Sequence, residues 1–301
     1  MQLVESVLYA RLGMLTRSVR GADIATTRAW YDLSTRQLLL RRTSSATRPA
    51  VIHELVRALV DQSFGLRRLR GLRARDRDRA VAAEAIVDGT AALASKLRAP
   101  AIRGMPLDRF LQLEDAAGLR PGRELAAQLR YLGGRRALAT ALRTFPQTTE
   151  QLLHIDKFLE RERALPIHLA THVGDAQLTA SETFGELEAR DLLQAFGVRG
   201  AGVATAGWGG GRIALYVSAT GGQTAALVLR WDTREDAAEW RDAFAQYLAA
   251  AFPGALARTC PPLDSCWVST YDLASGTLGQ TSVFASGPDS GDVAAALLTQ
   301  S

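Results

Sequence analysis

An α+β fold is predicted for this chain of 301 residues by two changes of pattern along it. Up to about residue 165 apolar side chains recur mainly at helical spacing; from about residue 180 strand-like runs and turns alternate with helices. A content of 47% apolar against 22% charged residues supplies a well-filled core and argues against disorder. The change of pattern divides the chain into a helical part, 1–178, and an α+β part, 179–301, packed together as one unit.

The first element reads as an amphipathic helix in MQLVESVLYARLGML rather than a signal peptide, because Glu5 and Arg11 interrupt the apolar run. TRAWYDL and QLLLRR then form a short strand pair around Ser34 and Thr35. Within VIHELVRALVDQSF the residues Ile52, Leu55, Val56, Leu59, Val60 and Ser63 recur at core spacing, His53 falls inside their arc, and Arg57 lies just past its edge near Glu54 and Asp61. The basic run LRRLRGLRARDRDR is interspersed with Asp76 and Asp78 and has no aromatic residue, so it is a solvated loop and helix start rather than a nucleic-acid contact. A helix over 77–97 carries Glu84 and Asp88 one turn apart, followed by Gly89, which permits close approach of another backbone.

Pro100 and the segment from Gly104 to Pro106 punctuate the chain, and helices over 106–117 and 121–131 follow. Thr148 or Thr149 caps a short helix that holds Glu150 and His154 at i and i+4. His168 and His172 sit in a proline-led connection and are surface or structural residues. ETFGELEARDLLQAFG is a helix ended by Gly197, and GWGGGRIALYVSA with AALVLRWDT a strand pair, GWGGGR itself being read as a tight turn that leads into RIALYVSA. The helix over 234–251 takes Asp232 or Thr233 as its cap and places Ala237, Trp240 and Phe244 on one stripe. CWVSTYDL and TSVFAS close the sheet before a last helix, DVAAALLTQ.

Several functional classes are disfavoured. The net charge of +5 is modest for 36 basic and 31 acidic residues, and no apolar stretch approaches the roughly 18 residues of a membrane helix. The chain reads as soluble, with no nucleic-acid partner, no membrane span and no legible export signal. It has no GxSxG, and GWGGGR leads into a strand without the Lys-Ser/Thr of a phosphate loop. Cys260 and Cys266 are spaced either for a small disulfide or for two free thiols, and neither has the setting of a nucleophile.

The chemical signal is His53-Glu54-Leu55-Val56-Arg57. HExxH on a helix presents two imidazoles to one zinc ion, with the Glu as general base for metal-bound water. Here the second imidazole is an arginine, and a guanidinium has no lone pair to give a metal. Four further segments, VDGTA at 87–91, TTEQLLHID at 148–156, GWGGGR at 207–212 and RWDTREDAAEW at 230–240, follow in order. Together with HELVRALVDQSF they resemble a largely uncharacterised family of bacterial HExxH zinc-peptidase-like proteins of the gluzincin type.

That resemblance implies a zincin-like helical domain, often in exported proteins, with metal ligands at His53, Arg57 and Asp88, a general base at Glu54, and His154 lining the cleft to polarise a carbonyl. One ligand is lost and another, Asp88, is one methylene shorter than the family's glutamate. Expected in its place is an ion pair of Arg57 with Asp88, Glu54 or both; the alternative is a local pair with Asp61 one turn along the helix. A catalytically inactive peptidase homologue that binds a peptide or protein, or serves as a scaffold, with no cofactor, is the expected function. The alternative is an active metallohydrolase with non-standard ligands, which would need zinc.

Overall fold

The computed structural model describes residues 2–14, 29–40 and 48–300, with side chains described from residue 7 onward. It is α+β, as expected. Two compact units emerge: a sheet unit of Met1–Ser18, Gly104–Phe110 and Ala164–Ser301, and a helical unit of Val19–Arg103 and Leu111–Arg163. The division near the middle of the chain thus falls at Arg163/Ala164, where 178 was read from the sequence, and the first helix belongs with the sheet.

In the helical unit, β1 (Ala29–Asp32) and β2 (Gln37–Leu40) form the expected antiparallel pair; Thr27, Arg28, Arg41 and Arg42 of the two runs lie outside the described residues. Next come α2 (Arg48–Phe64), a 3-10 turn (Leu66–Leu69) and α3 (Arg77–Ser95). The side chain of Asp76 caps α3 by accepting from the Arg79 N–H at 3.1 Å. α3 is the central helix of the unit, lined with buried small residues such as Ala82, Ala83, Ala91 and Ala92. Small side chains let a second backbone come close: a Cβ on Gly89 would lie 2.0 Å from the carbonyl carbon of Gly122, and one on Gly122 would lie 2.0 Å from the Ala85 oxygen. Gly122 ends a π-type turn (Gly118–Gly122), after which α5 (Arg123–Thr144) runs well past the predicted end at 131, broken at Gly133 and Gly134. Two short helices, α6 (Thr149–Leu153) and α7 (Ile155–Glu160), complete the unit. Helix α4 (Pro106–Asp115) crosses the division at Phe110.

In α2 the buried face differs from the expected one. Leu55 and Leu59 are exposed, at 46% and 59%, while His53, Val60 and Asp61 are buried. Burying polar side chains is tolerated because hydrogen bonds replace their water. Asp61 accepts from the Tyr31 hydroxyl at 2.9 Å and from the Leu66 N–H at 2.8 Å.

The sheet unit opens with α1 (Gln2–Arg11) and is built on an eight-stranded antiparallel sheet, made of β3 (His172–Val173), β4 (Ala176–Thr183), β5 (Trp208–Val217), β6 (Gln223–Trp231), β7 (Leu256–Arg258), β8 (Ser265–Val268), β9 (Asp272–Leu278) and β10 (Thr281–Ser286). Its order is β3-β4-β5-β6-β10-β9-β8-β7. Helices α8 (Glu186–Ala195), α9 (Ala201–Ala204), α10 (Arg234–Ala251) and α11 (Ser290–Gln300) accompany it. The central strands are covered on both faces. Val228, Val283 and Ala285 pack with Val293, Ala294 and Leu297 of α11, while Phe284 meets Phe244 of α10 and Phe252 just beyond it. Two-sided burial explains why AALVLRW is nearly continuous in apolar residues. Thr233, one of the two candidate caps, closes α10 by a reciprocal pair of bonds with Asp236, at 2.9 and 3.1 Å.

Three expectations in this unit are corrected. GWGGGR is the start of β5 rather than a tight turn. Its glycines leave room for neighbouring backbone: Leu165 donates to the Gly209 oxygen at 2.6 Å, and a Cβ on Gly211 would lie 2.3 Å from the Phe184 oxygen. β4 occupies a stretch with no strong alternation, so the helix read from Glu182 begins only at Glu186. CWVSTYDL is two strands, because the chain turns between Val268 and Asp272 with the Ser269 N–H on the Tyr271 oxygen at 3.0 Å. Cys260 and Cys266 form a disulfide across the PPLDS loop, so of the two alternatives the free thiols are excluded. His168 and His172 are exposed, as expected of surface residues.

Candidate functional site

The predicted site lies in the helical unit. α2 delivers His53, Glu54 and Arg57 from a single helix face and its margin, and α3 delivers Asp88. The Arg57 Nη1 is 2.9 Å from the Asp88 Oδ1, and its Nε is 4.0 Å from the Glu54 Oε2. Side-chain exposures of 23% for Arg57 and 29% for Asp88 leave the pair partly buried. Arg57 thus meets Asp88, with Glu54 at the limit of ion pairing. The local alternative does not form, because Asp61 is occupied by Tyr31 and Leu66, with Arg36 at 3.6 Å.

Glu54 is fixed from two sides. Its Oε1 lies 3.1 Å from the His53 Nδ1, and its Oε2 accepts the Tyr31 N–H at 2.9 Å. Burial works against its ionisation, but the His53 bond, the Arg57 charge and the Tyr31 N–H outweigh it and hold the carboxyl below its ordinary pKa. Asp88 goes the other way. Burial pushes its carboxyl up, and the Arg57 and His53 charges only partly oppose that. Glu84, one turn back on α3, is also raised, first by burial, with a further push from Asp88 and an opposing pull from Arg73 at 3.6 Å.

The arrangement does not fit a catalytic zinc ion. Such an ion takes three protein ligands and one open position. Here the donor set is His53 and Asp88, and a fixed cation touches the second of them at 2.9 Å. One observation speaks for a metal: the Nε2 of buried His53 has no hydrogen-bond partner among the described residues. It is outweighed, because Arg57 would face any cation placed between His53 and Asp88.

His154 stands between α6 and α7 as their shared boundary residue, half-buried, and among the described residues His53, Glu54, Arg57 and Asp88 make no hydrogen bond or ion pair to it. Thr148 is the cap of α6, accepting from the Gln151 N–H at 3.1 Å. Buried Glu150 has the Lys157 ammonium of the next helix at 2.9 Å. The basic run contributes buried groups as well as solvated ones: Arg77 pairs with Glu114, and Asp78 accepts the Thr149 N–H at 3.1 Å. Sequence reasoning missed Tyr31. Its backbone and hydroxyl bind Glu54 and Asp61 of α2, and only the strand-like run TRAWYDL hinted at a partner for that helix.

Residues 173–296 match the model of a family described as a domain of unknown function (DUF8575). No curated protein and no solved structure matches the chain. The similarity to that family thus falls wholly in the sheet unit and leaves out His53, Glu54, Arg57 and Asp88.

Proposed function

We propose that this chain is a catalytically inactive homologue of HExxH zinc peptidases, in which a guanidinium stands in the metal's place and the remaining role is to bind a peptide or protein, or to act as a scaffold. The observation that carries the proposal is Arg57 at 2.9 Å from Asp88, beside His53 and Glu54. Removing a metal without replacing its charge would leave two carboxylates unpaired inside the surface, at several kcal/mol each for fully buried groups. A guanidinium supplies the charge and, lacking a lone pair, no Lewis acid and no activated water. Glu54, held ionised by His53, Arg57 and the Tyr31 N–H, keeps the form of a general base with nothing to act on.

A binding role is supported by an apolar groove on the same helix. A cavity of about 240 Å³ is lined by Val56, Leu59, Phe64, Leu138 and Leu142, chemistry suited to an apolar side chain of a peptide. The test is metal content. Protein purified without chelator is expected to contain no stoichiometric zinc by elemental analysis, and Arg57→His with Asp88→Glu is expected to bind zinc more tightly than wild type. One equivalent of zinc in the wild-type protein overturns the proposal in favour of a metallohydrolase with unusual ligands.

A further inference from the structure

A second feature of the helical unit concerns a different chemistry. A cavity of about 470 Å³ opens between the basic run before α3 and the end of α5, and four guanidiniums line it: Arg68, Arg75, Arg79 and Arg143. Its one acidic residue is Asp76, whose Oδ1 is already engaged as the cap of α3. Four like charges around one concavity repel one another, and a fold tolerates that most readily when an anion enters between them.

Two of the four are set in place by the backbone. Arg68 donates to the carbonyls of Leu142 and Arg143 and stacks on the Phe145 ring with its guanidinium carbon 3.9 Å from the ring centre. Arg75 donates from Nε to the Gly71 oxygen at 3.2 Å, which leaves both of its terminal nitrogens for another acceptor. The other two are uncommitted. Among the described residues neither Arg79 nor Arg143 makes a side-chain hydrogen bond or an ion pair; Arg143 only overlies Phe64 at 5.5 Å. Arginine forks match phosphate oxygens in pairs, and such charge-assisted bonds are about twice as strong as neutral ones.

We propose that this cavity is a binding site for a small phosphate-bearing molecule, with Arg79 and Arg143 as its principal contacts and Arg68 and Arg75 as its pre-set walls. The cavity favours a compact ligand over a nucleic-acid strand. Its one lining aromatic, Phe145, is covered by Arg68 and offers no face for a base.

The experiment is calorimetric titration of the full chain at low ionic strength with pyrophosphate, inorganic phosphate and a single-stranded oligonucleotide. Pyrophosphate is expected to bind with one-to-one stoichiometry and more tightly than phosphate. Arg79→Gln and Arg143→Gln should each weaken it about tenfold. The α3 cap uses the Arg79 backbone N–H, so neither change removes a structural bond, and circular dichroism checks that both variants fold. Arg234→Gln and Arg241→Gln, at a separate two-arginine concavity in the sheet unit, are the charge-matched controls and should leave binding unchanged. Three results overturn the proposal: no wild-type binding beyond that of the Arg79→Gln, Arg143→Gln double variant, equal weakening by the controls, or tighter binding of the oligonucleotide than of pyrophosphate.

Discussion

Arg57 faces two carboxylates whose protonation responds oppositely to their surroundings. Glu54 is held below its ordinary pKa by His53, Arg57 and the Tyr31 N–H, so the stability it contributes is present above its unfolded value of about 4.3 and is lost as pH falls through the lower folded value. Asp88, raised by burial, acts in the reverse sense, favouring the fold when protonated and losing that advantage as pH rises through its raised value. Glu54→Gln should therefore destabilise the protein by about 1–2 kcal/mol at pH 7, through its charge-assisted bonds, and the difference from wild type should shrink steadily below about pH 4. Urea denaturation across that range is the measurement; a constant difference at every pH would show that Glu54 is not held ionised by these contacts. At this scale the sequence was most informative. His53, Glu54 and Arg57 share one helix, so their neighbourhood follows from helical geometry, and the resemblance supplied Asp88. His154 is less legible, because its placement depends on how two short helices meet, which no local spacing encodes.

Helices show where periodicity succeeds and where it misleads. α3 and α10 were legible because each has a local cap, Asp76 and Thr233, and a run of helix-forming residues behind it. α2 was located correctly, and His53 and Val60 are buried as their place in the apolar arc implied. The arc also implied that Leu55 and Leu59 face the core, whereas both are exposed and Asp61, bound by Tyr31 and Leu66, is buried instead. The strand through GWGGGRIALYVSA was legible, but its first residues also read as a tight turn because three glycines carry no strand preference; their purpose is to admit the backbones of Leu165 and Phe184. The same close approach makes a sharp prediction for α3. In an isolated helix Gly→Ala stabilises by about 1 kcal/mol. Gly89→Ala should instead destabilise by about 2–3 kcal/mol, because its Cβ would lie 2.0 Å from the Gly122 backbone. A raised thermal midpoint for that variant would mean that α3 and the turn at Gly122 are not in contact.

Across the whole molecule the least legible property is which segments fold together. The sheet unit draws on three separate stretches of chain. Its first stretch is tied in by Leu8, Leu12 and Met14, all buried, and by the Tyr247 hydroxyl, which donates to the Leu12 oxygen at 2.6 Å. Nothing in the pattern of 1–14 announces a partner so distant, since amphipathicity says that a face is covered but not by what. Deleting residues 1–14 should lower stability by more than about 3 kcal/mol, from the burial lost at three apolar side chains. Chemical denaturation of the truncated chain would reveal it, and an unchanged midpoint would show that this helix is dispensable. The link also sets a timetable for synthesis. Leu12 and Tyr247 are 235 residues apart, so at roughly 5–20 residues per second the ribosome makes the second about 12–47 s after the first. Through that interval the helical unit can finish folding while the leading helix waits, its apolar side uncovered, for the strands that will receive it.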